Sequence, residues 1–385
     1  MTKKSPRGWS RRRRVLTTLG IGVGVLALIA AGGVIGVKRW FAAEFPRLEG
    51  TPEVGTWYGV YPDGAIDAVG DPYHGIIRMG SADKVMVVFN GGGVSVDDYT
   101  EARPATGDGE GFYSITSGLD NAAKLGLGDG KDANAFRDWT VIQLPYSTGD
   151  FHVGAGENEV TGTDGQPQTV HHAGITNFDL VMDEVKQFLG DPTDLIVAGS
   201  SAGGFGAAGM TDHVMSVFPD TRNVTTIVDS SLLLYDWHQV SIDVWKSPAE
   251  ISDDLTTNNF TLDTLTALKA KHPTVTILFA SSIRDSSLTQ MQAYLNGDTF
   301  EATREGGQQY LRDLTVMVDQ LQEQVPDVGI YLFEGQTDDE TRLTQHTVLR
   351  TGLYTEFVDE TTPMAWISDA VGGNVESYGL QLLPR

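Results

Sequence analysis

Ser201 stands in the middle of "GSSAG", Gly199 to Gly203, directly after the apolar run "LIVA" and before a glycine- and alanine-rich stretch that reads as a helix start. The pattern is G-x-S-x-G, the layout of a nucleophile elbow. A serine displayed on a sharp strand-to-helix turn needs glycines two positions to either side to relieve crowding, and the NH groups of the helix then face the carbonyl under attack. The same pattern also arises by chance in tight turns, so the elbow is only as good as the parts that accompany it.

Three such parts can be found. "VVFNGGGVS" puts Gly91, Gly92 and Gly93 at the end of an earlier strand, where the NH groups of Gly93 and Val94, with that of Ala202, would hold a tetrahedral oxyanion. A phosphate-binding loop is the competing reading, but the lysine and the serine or threonine of a Walker motif are missing. Asp285 follows "TVTILFASSIR" and His346 follows "GIYLFEGQTDDETRLTQ", which gives the chain order Ser, Asp, His. In that reading His346 takes the Ser201 proton as general base while Asp285 fixes its tautomer and stabilises the imidazolium. Asp229 in "TTIVDSS" also follows a strand; it is either a rival acid or part of the site wall. Among the eight histidines, His171 and His172 read as capping or solvating the helix they precede, and His74, His152, His213, His238 and His272 have no position comparable to that of His346. No HExxH is present and "DGKDAN" lacks a calcium-loop pattern, so neither metal nor cofactor is expected.

The elements that must carry these residues alternate. Lys84 to Phe89, Trp139 to Leu144, Leu195 to Ala198, Thr225 to Val228, Val275 to Ala280 and Gly329 to Phe333 are short apolar runs, as expected of strands buried on both faces. Amphipathic segments lie between them, among them Ile175 to Leu189 and Gln308 to Gln324. Such alternation predicts an α/β fold with a doubly wound, mostly parallel sheet that binds ligands outside the carboxyl ends of its strands. Stretches such as "ATGDGEG", "LGLGDGKDAN" and Pro145 to Gln166 read as polar loops or part of a cap above the sheet.

Charge divides the 385 residues in two. Residues 1–41 hold nine Lys/Arg and no Asp/Glu, leaving 18 bases against 51 acids and a net charge of −33 in the remainder. So acidic a body repels phosphate backbones, and no nucleic-acid partner is expected. Cysteine is absent, which excludes disulfides and thiolate metal sites. Val15 to Val37 is a run of 23 uncharged residues behind "RRRR". As a helix it would be about 34 Å long, enough for a hydrocarbon core of about 30 Å. Residues 1–41 are therefore expected to anchor the chain in the cell membrane, with a catalytic body, 42–385, outside. An export signal cleaved after Ala43, giving a secreted body, is the alternative.

The segments "FNGGGVS", "IQLPYSTGDFHVG", "GSSAGG", "IVDSS", "RDSSLTQ" and "QHT", in that order from about Val85 to Thr347, resemble pectin acetylesterases and the related Notum-type carboxylesterases. The resemblance implies an α/β-hydrolase-like fold and a serine carboxylesterase that removes short acyl groups, acetyl above all, from a glycan or small-molecule ester. It makes Ser201 the nucleophile, Asp285 the acid and His346 the base, puts the oxyanion donors on Gly93, Val94 and Ala202, and lays Gly92, Tyr146, Asp150 and Asp229 along the substrate. Where the family carries Trp and Cys after its glycines, Val94 and Ser95 stand here, so the family's acyl pocket is not inherited intact. A lipase, thioesterase or peptidase with the same triad, and a non-catalytic surface-binding protein on a hydrolase fold, are the alternatives.

Overall fold

The computed structural model describes residues 44–105, 111–115, 120–297 and 299–384. The expected membrane helix at 15–37 lies outside them. Among the described residues no helix is long and apolar enough to cross a membrane.

In chain order the strands are β1 (Trp57–Val60), β2 (Gly75–Arg78), β3 (Ser81–Phe89), β4 (Pro104–Ala105), β5 (Tyr113–Ser114), β6 (Trp139–Leu144), β7 (Gly156–Thr161), β8 (Pro167–His172), β9 (Asp194–Ser200), β10 (Asn223–Asp229), β11 (Thr276–Ser282) and β12 (Gly329–Phe333). The helices are α1 (Asp98–Glu101), α2 (Gly174–Val185), α3 (Ala202–Val217), α4 (Trp237–Asp243), α5 (Ala249–Ser252), α6 (Phe260–Lys271), α7 (Ser286–Leu295), α8 (Arg304–Gln324) and α9 (Pro363–Val371). An eight-stranded sheet runs in the order β1-β2-β6-β3-β9-β10-β11-β12. From β6 to β12 every neighbouring pair is parallel; β1 and β2 close one edge antiparallel.

The six apolar runs expected as strands are β3, β6 and β9 to β12, and their alternation divides two cores between the faces. Val85, Val87, Leu195, Val197, Ile277 and Phe279 join the larger cluster, with residues of α2, α3, α6 and α8. Met86, Ile196, Ala198, Leu278 and Ala280 join a second cluster, with α9. Burial on both faces is the reason these strands read as continuous apolar runs.

Two parts of the sheet architecture were not expected. The edge strands β1 and β2 are four residues each, too short for a periodic signal. The first strand of the hairpin β7–β8 lies in the second half of the stretch expected as loop, and the second strand follows it; Gly156–Thr161, "GENEVT", is polar and largely solvent-facing, so it carries no apolar alternation to read.

Chain order reverses across β3. The chain passes from β3 to β6 on one side and later to β9 on the other, so the carboxyl ends of β3 and β9 flank a switch point, where sheets of this kind form their crevice. Helix α3 docks tightly there because Gly203 has no side chain: a Cβ on it would lie 2.0 Å from the Phe89 carbonyl oxygen.

Candidate active site

Ser201 follows β9 with φ 59° and ψ −130°, a backbone conformation costly for a residue with a side chain. Its surroundings hold it there. The Ser201 NH donates to the Asp229 carbonyl at 2.8 Å, and its own carbonyl accepts from the Gly204 NH at 2.8 Å, the Phe205 NH at 3.2 Å and the Ser231 hydroxyl at 2.9 Å. The neighbouring serine is differently employed: Ser200 Oγ donates to Asp229 Oδ2 at 2.8 Å. Among the described residues neither the Ser201 hydroxyl nor His346 Nε2 has a hydrogen-bond partner.

Asp285 and His346 meet. Asp285 caps α7, its Oδ1 accepting the Ser287 and Leu288 NH groups at 3.0 Å each. The same carboxylate receives His346 Nδ1 at 2.7 Å through Oδ2 and 2.9 Å through Oδ1. The histidine segment is zipped onto this turn: Thr344 NH donates to the Arg284 carbonyl at 2.9 Å, and Ser286 NH donates to the Thr344 carbonyl at 3.1 Å. Asp285 is fully buried, and the His346 side chain is 12% exposed. Burial pulls the imidazole pKa down, but the charge and hydrogen bond of Asp285, with the charge of Asp229, outweigh it and leave the pKa above 6.5. With Nδ1–H committed to Asp285, Nε2 is the free basic nitrogen.

The glycine loop lies against the elbow. A Cβ on Gly91 would sit 2.4 Å from the Ser200 carbonyl oxygen and 2.8 Å from Ser201 Cβ, so only glycine fits at this approach. Of the three expected oxyanion donors, Val94 is excluded, because its NH donates to the Phe112 carbonyl at 2.9 Å and its side chain, 1% exposed, is part of the core. The pairing that consumes it also turns Gly93. Val94 NH to Phe112 and Ser114 NH to the Gly92 carbonyl make Gly93 and Tyr113 a non-hydrogen-bonded antiparallel pair, whose own NH groups point away from the partner strand. Gly93, at φ 88°, therefore aims its NH to the opposite side, while the Ala202 NH opens α3 as one of its unpaired first-turn donors.

Of the residues expected along the substrate, two are walled in. The Asp150 carboxylate, fully buried, accepts from Thr148 Oγ1 at 2.8 Å, from the His152 NH at 3.0 Å and from the Gly174 NH at 2.9 Å. Asp229, also fully buried, accepts from Ser200 and Ser230 hydroxyls and from the Val348 and Leu349 NH groups. Neither offers a free oxygen to a ligand. Nor is Asp229 the partner of His346 Nδ1, which is engaged by Asp285. Tyr146 backs the glycine loop with its ring: a Cβ on Gly92 would lie 2.6 Å from Tyr146 Cδ1. Its hydroxyl accepts the Phe151 NH at 3.0 Å and so turns into the protein.

A sequence model of the pectinacetylesterase family matches residues 75–283, more than half of the chain. The chain belongs to the pectinacetylesterase family. It is accordingly a serine esterase acting on carboxylic ester bonds. No curated protein matches it. Among solved structures it is similar to the Wnt deacylase Notum from Drosophila, at 13% identity and a TM-score of 0.55, covering 80% of this chain and 91% of that one. At that identity the likeness establishes the fold, an α/β hydrolase with a mixed, mostly parallel sheet.

The chain also buries His152 and His172, which sequence reasoning passed over. His152, at φ 65°, sends Nε2–H to the Asn90 carbonyl at 2.9 Å, one residue before the glycine loop. His172, expected to cap or solvate a helix, is instead enclosed between the Thr148 carbonyl at 3.0 Å and Glu101 Oε1 at 2.9 Å. Nothing in their local sequence marks them, because their partners lie 62 and 71 residues away.

Proposed function

We propose that this esterase removes short acyl groups, acetyl first among them, from a glycan or a small polar ester, with Ser201 as nucleophile, His346 as base and Asp285 as the acid that orients it. The observation that carries this is the 2.7 Å contact of His346 Nδ1 with buried Asp285, beside an elbow in which Ser201 alone of the two serines keeps a free hydroxyl. Ser201 Oγ attacks the ester carbonyl carbon as His346 Nε2 takes its proton. Catalytic contacts of this kind commonly close only when substrate is bound. The oxyanion is held by the Gly93 and Ala202 NH groups. Collapse of the tetrahedral intermediate breaks the bond to the alkoxy oxygen, which leaves as the alcohol with the proton from His346. Water then attacks the acyl-enzyme, gives a proton to His346 and releases the acid, restoring Ser201.

Labelling with a fluorophosphonate tests the assignment. The adduct is expected on Ser201, absent in Ser201→Ala and strongly reduced in His346→Ala; an adduct on Ser200 or Ser231, or none on folded protein, overturns it. Acyl length is tested with p-nitrophenyl esters of graded chain length. Acetyl to butyryl esters are expected to turn over fastest, and an optimum on long-chain esters would instead favour a lipase. Residues 1–41 are proposed to tether the catalytic body outside the cell membrane, which fractionation and protease accessibility on intact cells would check.

A further inference from the structure

His346 has to be carried back across the sheet to reach Ser201. It follows β12, whereas Ser201 follows β9, with β10 and β11 between them. At about 4.8 Å per strand the two chain ends are roughly 14 Å apart. Two anchors bring the histidine loop inward. The first lies over β11, where Thr344 pairs with Arg284 and Ser286 and Asp285 meets the imidazole. That anchor alone leaves the loop two strands short of the nucleophile.

The second anchor is Asp229. It ends β10 in register with Ser200 on β9 and Ala280 on β11. Its Oδ2 accepts the Val348 NH at 2.9 Å and the Leu349 NH at 3.0 Å, the second and third residues after His346. The same oxygen accepts Ser200 Oγ at 2.8 Å, and the main-chain carbonyl of Asp229 accepts the Ser201 NH at 2.8 Å. Through Oδ1 it takes the Ser230 hydroxyl at 3.0 Å, and Ser230 Oγ accepts the Thr347 NH at 3.2 Å. Ser201, Ser230 and Thr347 all have positive φ, between 55° and 61°. Conformations of this cost persist only where surrounding bonds over-determine them, and Asp229 or its neighbour Ser230 bonds to each of the three.

We infer that Asp229 is a positioning residue, which sets the distance between the base and the nucleophile by binding the elbow and the histidine loop to one carboxylate. This rests on the triad reading above and goes beyond it, since it assigns the placing of the base to a residue that touches neither substrate nor reacting atoms. A neutral filler would not suffice, because Oδ2 collects three donors at once, a load suited to an ionised carboxylate. Two carboxylates act on the imidazole by charge: Asp285, which touches it from the loop after β11, and Asp229 at the end of β10, whose own pKa burial raises above the usual carboxylate value. Asp229 thus also supports the imidazolium.

The test is Asp229→Asn in the full chain, assayed with p-nitrophenyl acetate and by the rate of fluorophosphonate labelling. The amide keeps the shape but loses the charge. The expected result is a fall in kcat and labelling rate of about 10²-fold, the scale of a misplacement near 1 Å, with KM unchanged and the acid limb of the pH profile moved to lower pH. A raised KM with unchanged kcat would make Asp229 a substrate contact and overturn the proposal. Unchanged kcat and pH limb would make it structural filler and overturn it equally. Should Asp229→Asn fail to fold, Ser230→Ala removes the Thr347 link and the hydroxyl donated to Oδ1 but leaves the carboxylate with its Ser200, Val348 and Leu349 donors; a lower kcat at unchanged KM supports the proposal, and wild-type kinetics overturn it. Failure of the triad reading shows separately, as wild-type labelling at a serine other than Ser201.

Discussion

His346 and His152 are both enclosed histidines with an aspartate nearby, and their environments drive them in opposite directions. In each, burial is the largest influence and opposes the charged form. At His346 the opposing groups prevail, because the Asp285 carboxylate touches the ring itself at 2.7 Å and Asp229 adds a second negative charge. At His152 the ring packs against Phe89 and Tyr146 and donates to the neutral Asn90 carbonyl, while Asp150 binds the main-chain NH, and burial wins: the pKa falls below 6.5. A carboxylate on the ring produces a base that gains a proton readily. A carbonyl on the ring produces a fixed neutral donor, suited to steadying the strand end at Asn90 before the glycine loop.

The largest effect expected from breaking this contrast is Asp285→Asn. Turnover should fall by up to about 10⁴-fold, since the amide neither supports the imidazolium nor enforces the tautomer. Because Asp285 is what raises the imidazole pKa, the acid limb should move to lower pH in the same variant. A kcat–pH profile with an unmoved limb would mean that the ring contact does not set the basicity of His346.

Exchange of roles is the next test. His152→Phe leaves the Asn90 carbonyl without its donor and is expected to destabilise by about 1–3 kcal/mol in denaturant titrations, with turnover reduced far less than by Asp285→Asn. His346→Phe should abolish turnover. A loss of turnover in His152→Phe as complete as in His346→Phe would erase the distinction between base and strut.

The smallest effect is the pH dependence of those stabilities, and its sign differs between the two rings. His346 has a raised folded pKa, so the stability it contributes is fully present below 6.5 and is lost as pH rises through the folded value. His152 has a depressed one, so its contribution is present above 6.5 and is lost as pH falls through the folded value. Unfolding free energies of wild type and the two phenylalanine variants between pH 5 and 8, a range of about three units around the ordinary histidine pKa, should therefore diverge in opposite senses. Parallel curves would contradict the assigned surroundings.

The features legible in the amino-acid sequence are those written in contiguous residues. Six parallel strands stand out because both faces of each are buried and their composition has little freedom. The elbow is legible because its glycines must occupy fixed offsets from Ser201, and Gly91 because no side chain fits against the Ser200 carbonyl. Polar or short elements leave no such trace, hence the unexpected edge strands β1 and β2 and the hairpin β7–β8.

By itself, then, the sequence determined the fold class and the strand-glycine-helix layout around Ser201, both properties of local composition and spacing. What only the tertiary structure decided was which polar groups face each other. It joined His346 to Asp285 and enclosed Asp229, consumed the Val94 NH on Phe112, and closed Asp150 off from the crevice. Hydrogen-bond partners 61 and 119 residues apart in the chain are chosen by the packing of whole strands and loops, so no local pattern can encode them.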